Sequence, residues 1–206
     1  MRLRRSRLSE EQTEALLRSF VAGTAARRAA ESAAVNRHTA RLFYHRLRQL
    51  IARHLPRIGG RNGTFQPDTD GLRCADPRRI PLFGVIDRAG HIYTVMLPRA
   101  PQSAASRRAP RVHLDAVVCR WRAGRRATLR LIPLQAGDAA GEGGESAAVR
   151  EFWCRAQRHL GRFRGVPQQH LELYVKECEW RFNYGSEHRL LQTLRLWLSA
   201  DRLAGS

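Results

Sequence analysis

The chain has 206 residues, 43% of them hydrophobic, with a formal net charge of +19 and an isoelectric point near 11.5. The length allows one medium domain, or a small one beside a medium one, and the apolar share excludes a wholly disordered chain. Charge this large concerns partners rather than fold: it ranks nucleic acid first, because phosphates reward dense positive charge through counterion release, and an anionic membrane surface second.

Lys176 is the only lysine among the 37 basic residues; the rest are arginine, whose forked guanidinium suits phosphates and guanine edges. No stretch approaches the roughly 20 apolar residues that span a bilayer. The basic start "MRLRRSRLSEEQ" is not followed by the apolar run of a signal peptide. The expected location is cytoplasmic and nucleoid-associated, with no membrane partner. Cys74, Cys119, Cys154 and Cys178 form no CxxC pair, which argues for scattered thiols rather than a zinc site.

Residues 8–55 read as helical. Ser9 and Gln12 have capping-box spacing, and Leu16, Leu17, Phe20 and Val21 follow at helical intervals. Gly23 ends that helix, and Thr24 is placed to cap the next, "TAARRAAESAAV". Val35-Asn36 makes a break. "NRHTARLFYHRLRQLIARHL" is a third, longer helix with Leu42, Phe43, Leu47, Leu50 and Ile51 on one side. Pro56 and Gly59-Gly60 close this part.

Residues 60–79 show no periodicity and read as loop. Residues 80–98, "IPLFGVIDRAGHIYTVMLP", form a β-hairpin signal around the turn Asp87-Arg88-Ala89-Gly90. Residues 98–110 are a basic linker, "VHLDAVV" at 112–118 is a candidate third strand, and 119–135 fit no clear pattern. "AGDAAGEGGESAA" is low-complexity. Residues 148–162 return to helix. A further helical pair fills 166–200, with Pro167 as its start and Leu190, Leu191, Leu194, Leu196, Trp197 and Leu198 near its end.

Three short helices with a tight break before the last suit a helix-turn-helix. The break presents Asn36, Arg37, His38, Thr39 and Arg41 at the start of a recognition helix, with Arg27 and Arg28 on the helix before it. These residue types bond base edges and phosphates. Residues 1–57 carry thirteen arginines against four glutamates. An ordinary three-helix bundle with a solvated basic face has the same pattern.

Three stretches of the chain resemble a known family. "VNRHTARLFYHRLRQLIARHL", "IPLFGVIDRAGHIYTVMLPRA" and "FWCRAQRHLGRFRGVPQQHLELYVKECEWRFNY" with "LLQTLRLWL" are similar, in order, to stretches of the ISXO-like bacterial insertion-sequence transposases. The resemblance covers about two thirds of the chain and is poor at 60–79 and 119–148. It implies an α/β fold: an N-terminal helix-turn-helix unit at 1–57, an irregular linker at 58–79, and an incomplete RNase-H-like domain at 80–206. It also implies a DDE-type enzyme, in which three acids hold two Mg2+ or Mn2+ ions for attack at a phosphodiester. The implied partner is double-stranded DNA at the element ends, with a homo-oligomer on that DNA.

The family's acids do not carry over cleanly. Asp68, Asp70 and Asp76 lie where the first is expected, without the family's strand motif. The second position falls near Arg120-Trp121, with Asp115 upstream. The third falls on Arg150, one residue from Glu151, and a one-residue shift turns a side chain about 100° around a helix. The reading is therefore a transposase-like DNA-binding protein impaired in catalysis, with no productively bound metal. Glu151 is expected to pair with Arg155 or neighbour Arg158. Glu177 is expected to be exposed, and Glu179 to pair with Arg181 or His188. Compensating frameshifts in the encoding DNA would produce the alternation of matching and non-matching blocks. Two alternatives stay open: a non-catalytic protein that occupies element ends or regulates, and a divergent nuclease using Asp70, Asp115 and Glu151.

Overall fold

A computed structural model of the chain describes residues 8–56, 66–67, 82–88, 90–96, 111–112, 116–123, 126–133, 147–163, 166 and 170–203. Helical residues outnumber strand residues among them. They divide into two compact units, Met1–Leu55 with Trp180–Ser206, and Pro56–Glu179. The sequence reading put all of 80–206 in one domain. The structure instead groups the last residues of the chain with its first helices, a long-range pairing that local periodicity does not reveal.

The first unit begins with α1 (Glu10–Val21), closed at its start by a full capping box between Ser9 and Gln12. Gly23, at φ 72°, ends it in a left-handed conformation that a side chain would oppose. Next comes α2 (Ala26–Ser32). Its N-cap is Ala25, which supplies no side-chain hydrogen bond, so the expected Thr24 cap does not form. Asn36 caps α3 (Arg37–His54), its Oδ1 accepting from the His38 N–H at 2.8 Å.

Leu16, Leu17 and Phe20 of α1 pack with Ala29 and Ala30 of α2 and with Tyr44, Leu47 and Ile51 of α3. Leu42 is 44% exposed, contrary to expectation. It precedes Tyr44 by two residues, about 200° of helix rotation, and so faces away from the core. The core is completed by Trp180 and by Leu190 and Leu194 of α6 (Glu187–Leu203). Leu196 of α6, expected with its apolar face, is 66% exposed.

Polar pairs hold α6 in place. Arg195 binds Glu14, which Arg18 also pairs at 2.7 Å. Asp201 accepts from Arg53 at 2.5 Å and contacts His54 at 3.2 Å, and the His54 ring stacks on Trp197. Both carboxyls sit below their ordinary values. For Glu14 the Arg195 hydrogen bond is the main cause, working against burial. For Asp201 burial pushes upward, and the hydrogen bonds from His54 and Arg53 outweigh it.

A carboxyl depressed in the folded state adds stability above its unfolded value and loses it as pH falls through the folded one. The α6 contacts are therefore at full strength at neutral pH and weaken below about pH 4, near the ordinary carboxylate range. Thermal melts from neutral to acid pH check this. The double variant Glu14→Gln, Asp201→Asn is expected to melt lower at neutral pH and to lose part of the acid dependence.

The second unit holds a four-stranded antiparallel sheet. Its strands are β2 (Leu82–Arg88), β3 (His91–Met96), β5 (Ala116–Ala123) and β6 (Arg126–Pro133), in the order β3-β2-β5-β6. The hairpin appears as expected, with Val85 opposite Thr94. Gly90 turns it at φ 79°, and its N–H donates to Asp87 Oδ1 at 3.0 Å. β5 begins inside the candidate strand at 112–118, and the segment without a clear sequence pattern supplies the rest of the β5–β6 hairpin. β5 pairs antiparallel with β2 on the side away from β3. A separate two-residue pairing joins β1 (Gln66–Pro67) and β4 (Arg111–Val112). α4 (Ala147–Leu160) packs on β2 and β3, with Val149, Phe152, Trp153 and Ala156 buried. α5 (Leu171–Tyr184) contributes its residues up to Glu179 to this unit. Pro167, expected to start this last helical part, lies outside the described residues.

Candidate nucleic-acid interface

The expected DNA-reading residues lie on α2 and the first turns of α3. Arg27 and Arg28 are exposed on α2. Asn36, Arg37, His38 and Arg41 are exposed at the start of α3, and Thr39 is half-buried. The first turn of α3 has no acidic residue. Its unpaired backbone N–H groups and aligned peptide dipoles make that end electropositive, and the arginines add full charges. Such an end attracts phosphate.

Two details modify the expected roles. Asn36 Oδ1 is occupied by the cap, which leaves the amide NH2 as its donor toward a base or phosphate. Arg37 lies 3.5 Å from Glu31, with both side chains about 60% exposed. An ion pair this open is weak and yields to a phosphate at little cost.

The turn between α2 and α3 spans residues 33–36. Val35 N–H donates to Ala30 O at 3.0 Å, and Gln12 Nε2 reaches Ala34 O at 3.5 Å. Ala34 sits at φ 50°, the left-handed region that glycine favours. Ala34→Gly is expected to stabilise the chain by up to about 1 kcal/mol, since the Cβ strain it removes is of order 1–2 kcal/mol and glycine's extra chain entropy offsets part of it. A urea titration of both proteins measures the difference.

Of the acids expected at the family positions, Glu151 alone lies among the described residues. Glu151 is exposed on α4 and binds the Arg155 guanidinium one turn on, as its spacing suggested. Arg150, where the resemblance puts the third acid, is also exposed. Asp68, Asp70, Asp76 and Asp115 lie outside the described residues. Among the described residues no three His, Cys, Asp or Glu side chains gather to hold a metal ion.

Among the described residues the buried acids are Glu177 and Glu179. Glu177 is 1% exposed, not exposed as expected, and contacts His159 Nε2 at 3.0 Å. Glu179 is fully buried and does not pair with Arg181 or His188. Its Oε2 accepts from the Thr94 N–H at 2.9 Å, the Thr94 hydroxyl at 2.6 Å and Lys176 Nζ at 2.7 Å. Lys176 also donates to Thr94 O at 2.5 Å. Sequence offered one sign of this network: the chain's only lysine stands three residues before Glu179, the interval that brings helical side chains together.

No family model and no solved structure matches the chain. A stretch of 35 residues is 60% identical to an uncharacterized transposase-like protein of Haemophilus influenzae. The match covers 17% of this chain and 28% of that protein. The chain thus has a transposase-like relationship, and spans a little over a quarter of the relative it matches. No described helix is long and apolar enough to cross a membrane.

Proposed function

We propose that this chain is an insertion-sequence transposase-like protein of the ISXO-like, DDE-type group that binds double-stranded DNA at element ends and is impaired in strand cleavage. The transposase-like reading draws on the 60% identity over 35 residues. The observation that carries DNA binding is the exposed start of α3, whose first turn has no acidic residue and presents Arg37, His38 and Arg41 after the Asn36 cap, with Arg27 and Arg28 exposed on α2. Arginines and backbone N–H groups there grip phosphates and fix the register, while the Asn36 amide, His38 and Arg41 reach base edges. Two copies on paired element ends, in a nucleoid-associated cytoplasmic setting, complete the reading, as does an RNase-H-like second unit.

Impairment draws on the departures from the family's acid positions in the sequence and on the surroundings of the acids that are described. Glu151 is engaged with Arg155 at an exposed helix face. Glu177 and Glu179 are buried with His159 and Lys176. A cleavage assay on duplex DNA taken from the flanks of the encoding gene, with Mg2+ or Mn2+, tests this. Binding without cleavage is the expected result, with Glu151→Gln leaving binding unchanged and costing only about 0.3–0.5 kcal/mol of stability. Metal-dependent cleavage that Glu151→Gln abolishes would replace this reading with an active nuclease.

A further inference from the structure

The geometry points to Arg181 as a positioning residue for DNA reading, one that pins the start of α2 from the far end of the chain without touching DNA. The inference rests on the DNA-binding reading above. Arg181 lies 140 residues beyond Arg41 in sequence, yet it belongs to the same compact unit.

Its guanidinium donates to the last carbonyls of α1: Nη1 to Val21 O at 2.7 Å and Nη2 to Phe20 O at 2.6 Å. A cation there also meets the negative end of the helix dipole. The same guanidinium lies 5.4 Å from the centre of the Phe20 ring and 5.5 Å from that of Trp180. Arg48 approaches Phe20 as well, at 5.5 Å. The C-terminal end of α1 is thus fixed by charge-assisted hydrogen bonds and by ring contacts.

The segment after α1 has little to hold itself in place. α2 has seven residues, fewer than an isolated helix needs, and no side-chain cap. Its buried residues are alanines, which bring little apolar area. The direction of α2, and with it the placement of Arg27 and Arg28 and of the turn into α3, depends on where α1 stops. Residues 22–25 make that connection through Gly23 N–H to Phe20 O and Thr24 N–H to Ser19 O. Phe20 O accepts from both Gly23 and Arg181, so one carbonyl ties the turn to the pin.

The role predicts a pattern that a phosphate contact or a general stabiliser would not give. Full-length wild-type, Arg181→Ala and Arg181→Lys proteins are compared on flanking duplex and on scrambled duplex of the same length, at a temperature where circular dichroism finds all three folded. Arg181→Ala is expected to weaken binding to the flanking duplex about tenfold, within the range typical of coupling between separate sites. The salt slope should stay unchanged, because no phosphate contact is lost. Arg181→Lys, able to reach one carbonyl but not both as a fork, should recover part of the loss. Hydrogen exchange at Gly23 and Thr24 should accelerate in Arg181→Ala, with or without DNA.

Unchanged exchange at those two amides overturns the pin, whatever DNA does. A salt slope that falls by about one overturns positioning in favour of direct contact. Faster exchange with unchanged affinity also overturns the role in DNA reading. If the wild-type protein binds no DNA, the functional reading fails, while the exchange result still decides whether Arg181 fixes the turn.

Discussion

Lys176→Met is expected to destabilise the second unit by about 3–5 kcal/mol, the usual cost of stripping one partner from a buried ion pair. Glu179 is fully buried, and its Oε2 gathers the Lys176 ammonium and both donors of Thr94. Without the ammonium the carboxylate keeps its desolvation cost and loses its countercharge. The released Thr94 carbonyl adds to the penalty, because Lys176 also donates to it. Methionine matches the length and apolar stem of lysine, so lost packing contributes little. The double variant Lys176→Met, Glu179→Leu removes both charges and is expected to recover much of the loss, since a well-packed apolar pair often equals a buried ion pair. Denaturant unfolding of the wild type, both singles and the double closes the cycle. A double variant as unstable as the sum of its singles would mean that the two groups act independently.

Trp180→Ala is expected to cost the first unit about 3–5 kcal/mol, the range for truncating a large buried aromatic. Trp180 is fully buried among the helices of that unit, its ring centre 6.1 Å from Phe20. The indole Nε1 has no hydrogen-bond partner among the described residues. Trp180→Phe should therefore cost much less, under about 2 kcal/mol, since it removes an unpaired buried donor together with part of the volume. Thermal unfolding followed by fluorescence at the other tryptophans, with calorimetry, separates the two variants. Equal losses for alanine and phenylalanine would mean that the indole N–H does make a needed contact.

Local signals made the helices of the first unit readable. The Ser9–Gln12 box, the Gly23 stop and the Val35-Asn36 break each act within a few residues, and each appears in the structure. The Asp87–Gly90 turn likewise announced its hairpin. Thr24 failed as a cap because α2 starts after Ala25, one residue later than the spacing implied. The candidate strand at 112–118 anticipated the start of β5; the rest of β5 and β6 were not assigned, and the pairing of β5 with β2 is a long-range fact that local sequence does not report.

The site was legible in proportion to its locality. The exposed residues at the start of α3 follow from the break at Val35-Asn36, and the Glu151–Arg155 pair follows from helical spacing. Glu177 and Glu179 were misjudged because charged residues default to solvent, and only the fold brings His159 and Thr94 to them. Arg181 was likewise seen only as a neighbour of Glu179. Its partners, the Phe20 and Val21 carbonyls, are backbone atoms that no side-chain pattern reports.

The most direct test of the account is the salt dependence of DNA binding by the full chain. Its affinity for flanking and scrambled duplex is measured across a salt series for the wild type, Arg37→Ala and Arg41→Ala. The account predicts tighter binding to the flanking duplex, affinity that falls steeply with salt, and a slope reduced by about one for each phosphate-binding arginine removed. Equal affinity for both duplexes, with a slope that neither substitution changes, would contradict it: the charge of the chain would then act as a diffuse field, and the start of α3 would not be the DNA-reading surface.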